Sequence, residues 1–151
     1  VAQNLLANPL FSIAPSATGL AEHWTVVGTA GTKTPSIGVG VKGPNAQRLV
    51  VAGSAAAQNA GIYQASLGVG SAVAGETVTL SVGVTEHVAV NMSWMVALIA
   101  RTAAAGFIGF YSAAISGTGI TTLTQLLPAT TSYVQVYAAY TNTLDLDDTG
   151  S

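Results

Sequence analysis

Hydrophobic and β-branched residues fall in short runs along this chain, and clusters of Gly, Pro, Asn and Ser break the runs about every ten residues. Val, Ile, Thr, Leu and Tyr fill the stretches between the breaks. This rhythm predicts strands over 23–29, 47–52, 61–66, 77–85, 91–101, 106–111, 120–126, 133–139 and 143–147. The plainest alternation runs from Thr77 to Thr85. Val78, Leu80, Val82 and Val84 fall on one side of it, and Thr77, Thr79, Ser81 and Thr85 on the other. Side chains of a strand alternate between its two faces, so this period of two marks a strand with one face on a core. The stretch 91–101 differs. Trp94, Val96 and Leu98 share one face, and Met95, Ala97 and Ile99 share the other. A strand apolar on both faces belongs inside a sheet or beneath a partner. Helical patterning is poor, because the alanine runs at 55–57 and 103–105 are too short and have Gly close by. The pattern is that of one all-β domain over 1–151, a sandwich of two antiparallel sheets.

Composition narrows the reading. The chain has 151 residues, enough for one domain with a sizeable core. Only 7% of them are charged, and half are hydrophobic, which argues against disorder. Four Lys and Arg in total cannot neutralise many phosphates, so nucleic acid is not an expected partner. Without cysteine there is neither a disulfide framework nor a thiolate metal site. The opening Val-Ala-Gln-Asn-Leu-Leu lacks the basic-then-apolar pattern of a secretory leader. The long apolar stretch 92–115 raises the question of a membrane span, but Arg101 sits near its middle. An Arg at mid-bilayer costs at least ~2.5 kcal/mol. Two strands joined by a small-residue turn account for the stretch better, and no membrane span is expected.

Several short motifs then fall into order. Asn4-Leu5-Leu6, Asn8-Pro9, Phe11 and Trp24 open the chain. Gln47-Arg48-Leu49-Val50-Val51, Gly61-Ile62-Tyr63-Gln64 and Ala74-Gly75-Glu76-Thr77-Val78-Thr79-Leu80-Ser81 follow. Thr131-Ser132-Tyr133-Val134-Gln135-Val136 and Leu144-Asp145-Leu146-Asp147-Asp148 complete the series. In order and spacing the set resembles carbohydrate-binding-module jelly rolls of the family 4/9/22 type. The resemblance spans nearly the whole chain and implies a jelly-roll β-sandwich whose final strand closes beside the first. It makes Phe11 and Trp24 core plugs, and Trp94 is read as core too. It also implies a non-catalytic module that binds glycans on a concave sheet or at loop tips. Jelly rolls of this kind occur as well in tail, fibre and capsid-decoration proteins of phages.

Sugar recognition needs flat aromatic faces beside groups that hydrogen-bond hydroxyls. Tyr133, Gln135 and Tyr137 alternate onto one face of one expected strand, with Tyr140 just beyond at the opposite parity. These four, with Tyr63 and Gln64, are the candidate glycan- or partner-binding residues. Tyr63 and Gln64 are adjacent, so only one of them can line a groove. Packing in a core or an interface is the competing role for the platform on 133–140. At the C-terminal end, Asp145, Asp147 and Asp148 could offer hard oxygen ligands to a structural calcium ion, as relatives carry one near their joined termini. A solvated acidic end is the favoured explanation of them.

Catalytic signals are thin. His23 and His87, the two histidines, show no metal-ligand spacing. No G-x-S-x-G is present. Gly38-Val39-Gly40-Val41-Lys42-Gly43 fits G-x-G-x-x-G, but Pro44 and Asn45 follow it where a dinucleotide site needs a helix, so it reads as a glycine-rich loop. Asn91-Met92-Ser93 is a formal glycosylation sequon inside an apolar strand. The expectation is therefore a structural or adhesion module without catalysis. Its first setting is the surface of a phage virion, packed against capsid or sister subunits as a homo-oligomer such as a trimer. The alternative is a secreted or extracellular carbohydrate-binding module. Low charge favours the first, because interface cores are depleted in Lys, Glu and Asp.

Overall fold

The computed structural model describes residues 5–7, 19–27, 32–39, 45–52, 59–67, 74–90, 92–142 and 149–150. The described residues are all β, without a helix. In chain order the strands are β1 (Thr25–Val27), β2 (Thr32–Val39), β3 (Asn45–Ala52), β4 (Asn59–Leu67), β5 (Thr77–Val84) and β6 (Ala89–Val90). They continue with β7 (Met92–Arg101), β8 (Phe107–Ile115), β9 (Gly119–Leu126), β10 (Tyr133–Asn142) and β11 (Thr149–Gly150). One layer is a five-stranded antiparallel sheet in the order β1-β4-β10-β7-β8. The opposing layer is built from β2-β3-β11-β6 and from the pair β5-β9. This is the expected sandwich of antiparallel sheets.

The core lies between the layers. Ile62, Trp94, Val96, Leu98, Val134 and Val136 point into it from the five-stranded sheet, and Leu49, Leu80 and Leu123 meet them from the other side. Trp24 and Trp94 are both buried, as expected. The indole of Trp94 donates to the Val88 carbonyl at 2.8 Å, so its polar edge is satisfied within the core. Val78, Leu80, Val82 and Val84 face inward and Thr77, Thr79 and Ser81 are exposed, which matches the alternation of 77–85. β7 lies between β10 and β8, and this interior place explains why it is apolar on both faces.

The stretch tested for membrane insertion is a β7–β8 hairpin. Its turn is closed by Thr102 N–H to Gly106 O at 2.9 Å, Ala105 N–H to Thr102 O at 3.0 Å, and Gly106 N–H to the Thr102 hydroxyl at 3.0 Å. No helix among the described residues is long and apolar enough to cross a membrane.

Three strands exceed the sequence expectation. β2 carries Pro35 and lies where no strand is expected, and its Gly38 and Val39 belong to the expected glycine-rich loop. Among the described residues it pairs only with β3, and an edge strand tolerates Pro because one side needs no N–H donor. Gly38 and Val39 therefore end a strand, while Gly40 to Gly43 lie outside the described residues. β6 and β11 have two residues each, too few for a periodicity to register. The first expected strand begins later, at Thr25, because His23 sits in a turn with φ 71°. Asn8, Pro9, Phe11, the expected strand 143–147 and Asp145, Asp147 and Asp148 lie outside the described residues.

Candidate functional site

Strand alternation turns every second residue of the five-stranded sheet away from the core. On β10 these residues are Tyr133, Gln135, Tyr137 and Ala139. Register places Tyr137 between Tyr63 on β4 and Ala97 on β7. It sets Gln135 beside Ile99, which pairs in turn with Phe110 on β8. Tyr133 stands opposite Arg101. The outer face thus carries two tyrosine rings over a small floor at Ala97, an apolar patch at Ile99 and Phe110, and a polar end at Arg101, Gln135 and Tyr133.

The rings of Tyr63 and Tyr137 stack with centroids 5.2 Å apart and planes 16° from parallel. Cross-strand aromatic pairs of this kind hold each other in place and contribute about 0.5–1.5 kcal/mol beyond their burial. Burial is the main reason that the Tyr137 phenol is pushed above its ordinary value; nearness to Tyr63 adds to the shift and Arg101 opposes it. The phenol is therefore a neutral hydroxyl that can both donate and accept.

Arg101 is fixed from two sides. Its Nε donates to Gln135 Oε1 at 2.7 Å, and its Nη1 donates to the Ala105 carbonyl at 3.0 Å. The β7–β8 turn, with Ala105 at φ 62°, thereby sets the direction of the guanidinium. The bond occupies Oε1 of Gln135 and leaves its NH2 group to donate. Among the described side chains of this face there is one cation and no carboxylate.

The close approach of β4 to β10 beneath the tyrosines depends on Gly61, at φ 148°. A Cβ at this position would overlap the Ala138 carbonyl oxygen and stand 2.7 Å from Ala139 Cα. Only glycine fits both the space and the conformation.

Four of the six candidate residues, Tyr63, Tyr133, Gln135 and Tyr137, come together on this face, all half-buried. Gln64 does not join them, which corrects its candidacy. It is 4% exposed and faces the other side of β4. Its Oε1 accepts from Ala7 N–H at 2.7 Å and its Nε2 donates to Ala7 O at 2.8 Å. Both ends of the amide are spent on tying the N-terminal segment to the sheet, as an otherwise costly buried amide requires. Of Tyr140 the structure describes the backbone, opposite Trp94 and Ala60. Arg101 and Phe110 were not among the candidates. The one usable sequence signal for Arg101 was its parity with Ile99 and Ala97 on a strand already read as central. Among the described residues no cluster of three or more His, Cys, Asp or Glu could hold a metal. His23 is exposed in its turn, and His87 is half-buried with Nε2 3.0 Å from the Ile115 carbonyl.

A second exposed face lies on β5 and β9. Register pairs Thr77 with Leu126, Thr79 with Thr124, Ser81 with Thr122 and Gly83 with Ile120. Thr79 and Thr124 hydroxyls are 3.2 Å apart. Ile120 and Leu126, 60% and 63% exposed, flank this hydroxyl ladder, and neither strand has a charged residue.

Two layers of antiparallel strands around one core define a jelly-roll β-sandwich. No protein family and no curated protein matches the chain. Solved structures do. The enzymatically active domain of tailspike protein 4 of bacteriophage CBA120 aligns with 97% of this chain and 20% of its own, at 11% identity and a TM-score of 0.58. A structure of carbohydrate-binding modules from the β-sandwich superfamily aligns with 87% of this chain and 56% of its own, at 16% identity and a TM-score of 0.58. The C-terminal family 22 carbohydrate-binding module of Clostridium thermocellum Xyn10B aligns over 91% and 93%, at 15% identity and a TM-score of 0.47. The fold is that of the carbohydrate-binding-module sandwich, as its motifs suggested. The chain spans about a fifth of the tailspike domain and about half of the first module structure.

Proposed function

We propose that this chain is a non-catalytic adhesion module that binds glycan on the outer face of its five-stranded sheet. The observation that carries this is the Tyr63–Tyr137 stack beside the Arg101–Gln135 pair. The rings offer apolar faces to the C–H side of a sugar. The Gln135 amide, the Arg101 guanidinium and the phenols supply donors at fixed positions along one edge. With one cation and no carboxylate among its described side chains, the face suits neutral or acidic sugars. The module structures in the β-sandwich superfamily are described as carbohydrate-binding, which supports the reading. A glycan array followed by calorimetry tests it. Tyr137→Ala should weaken the strongest hit by about tenfold or more, as loss of a central aromatic anchor does, with circular dichroism unchanged. An array without hits, or unchanged affinity in the variant, removes the reading.

A second reading concerns setting, and the β5–β9 face favours it. An exposed face of hydroxyls and two aliphatic side chains, free of charge, is suited to burial against another protein. We infer that this face packs against sister or capsid subunits in a phage virion; the tailspike neighbour is a phage protein. Sedimentation at micromolar concentration checks it, and a single species at 15.1 kDa speaks against it.

A further inference from the structure

The two arginines of the chain, Arg48 and Arg101, are held in different ways. Arg48 donates to Glu86 through two bonds, Nε to Oε2 at 2.9 Å and Nη2 to Oε1 at 2.7 Å, so its charge is answered by a carboxylate of the chain. Arg101 is half-buried and is held by neutral oxygens, those of the Gln135 amide and the Ala105 carbonyl. Among the described residues no carboxylate pairs with it. Neutral acceptors fix the direction of a guanidinium without answering its charge. That charge reaches the aromatic platform, since it opposes the upward shift of the Tyr137 phenol.

A guanidinium carries N–H donors on all three nitrogens. The two bonds of Arg101 use donors at Nε and Nη1, and among the described residues its Nη2 has no partner. Its neighbour Gln135 keeps its Nε2 donors, because only Oε1 is engaged. The two side chains thus present donors, one set of them cationic, beside the tyrosines. Gln135 lies two positions from Tyr137 on β10, a span of about 7 Å at the rise of an extended strand. That is the scale of one pyranose ring with its exocyclic carbon. A ring against Tyr137 therefore carries its exocyclic group toward Arg101 and Gln135. A hydroxyl there fills a donor and leaves the charge unanswered. A carboxylate accepts from several donors at once and answers the charge, in bonds roughly twice as strong as neutral ones.

We propose, resting on the glycan reading above, that this face selects an acidic sugar, a uronic or other carboxylate-bearing residue. Its ring lies against Tyr63 and Tyr137, and its carboxylate is received by Arg101 Nη2 and the Gln135 amide. The tyrosines supply affinity for a ring, and Arg101 supplies the choice between acid and neutral sugar.

Matched probes test this. Oligogalacturonate, oligoglucuronate, oligomannuronate and sialyllactose are each compared with their methyl esters, which keep the rings and linkages and remove the charge. In calorimetry on the unaltered chain, at least one acid should bind on the order of tenfold more tightly than its ester. Arg101→Gln should bring that ratio to about one. Gln135→Glu should do the same, because it answers the arginine from within the chain. The ratio in the unaltered chain decides the acidic class even where a variant folds poorly. Acid and ester bound alike, or neutral sugars bound alone, overturn the acidic class and leave the glycan reading standing. A preference for acid that persists in both folded variants overturns the assignment to Arg101. A full glycan array without hits removes the glycan reading and this inference together.

Discussion

The outer face of the five-stranded sheet and the outer face of β5–β9 arise in the same way, as the halves of period-two strands left over after the core is filled. They differ in how their side chains are held. On the first, Tyr63 and Tyr137 stack, Arg101 is bound to Gln135 and to the β7–β8 turn, and the key residues are half-buried. On the second, Thr79 and Thr124 share one 3.2 Å contact, and Ile120 and Leu126 are largely exposed. Prior ordering reduces what a ligand must spend on immobilising its site. On the proposed reading, the first face therefore holds a small polar ligand in one orientation. The second offers area without direction, which suits a flat protein partner that supplies its own shape. A chain so low in charge is thus not uniformly bare: among the described residues Tyr63, Tyr137, Gln135 and Arg101 stand together on one face of the sandwich.

The largest effect that tests this contrast lies beneath the first face. Gly61→Ala should destabilise the fold by on the order of 2–3 kcal/mol, because the strained φ and the overlap with Ala138 act together. For a domain of this size that is a fall in Tm of about 5–10 °C. A scan showing less than about 2 °C would mean that β4 can draw away from β10 without cost, and the tyrosine stack would lose its structural basis.

A change of intermediate size separates the faces. The double variant Ile120→Lys with Leu126→Lys should leave stability within about 0.5 kcal/mol, since both side chains are largely exposed. It should abolish any assembly seen by sedimentation and leave glycan affinity as it was. Tyr137→Ala should do the reverse. If one variant changes both readouts, the two faces do not act separately.

Much of this division was legible in the sequence. The alternation of 77–85 placed its threonines outward, and the two-sided apolar pattern of 91–101 placed β7 within a sheet. The parity of Tyr133, Gln135 and Tyr137 put them on one face. Local pattern could not bring Arg101 to Gln135, because that contact joins positions 34 residues apart through a register set by the whole sheet. Nor could it see that Gln64 is spent internally on Ala7, 57 residues away. β2 was not anticipated; it carries Pro35, whose effect on a strand depends on whether the strand is at an edge, and edge position is a property of the finished sheet.

The smallest effect is a titration. Tyr137 is held above the ordinary phenol value of 10.0 by burial first and by Tyr63 second, while Arg101 pulls it down. In the unfolded chain its proton leaves near the ordinary value, while the folded chain still holds it. Its contribution to stability is therefore fully present below pH 10.0 and is lost as pH rises through the folded value. Tyrosinate absorbance followed in the folded chain should show a late-titrating phenol that is missing in Tyr137→Phe. Arg101→Gln removes the opposing charge and should delay that phenol further, whereas Tyr63→Phe should bring it earlier. No ordered surface ladder of threonines can produce such a signal, so a late phenol that ignores both substitutions would place the ordering of Tyr137 elsewhere than in the Tyr63–Arg101 surroundings.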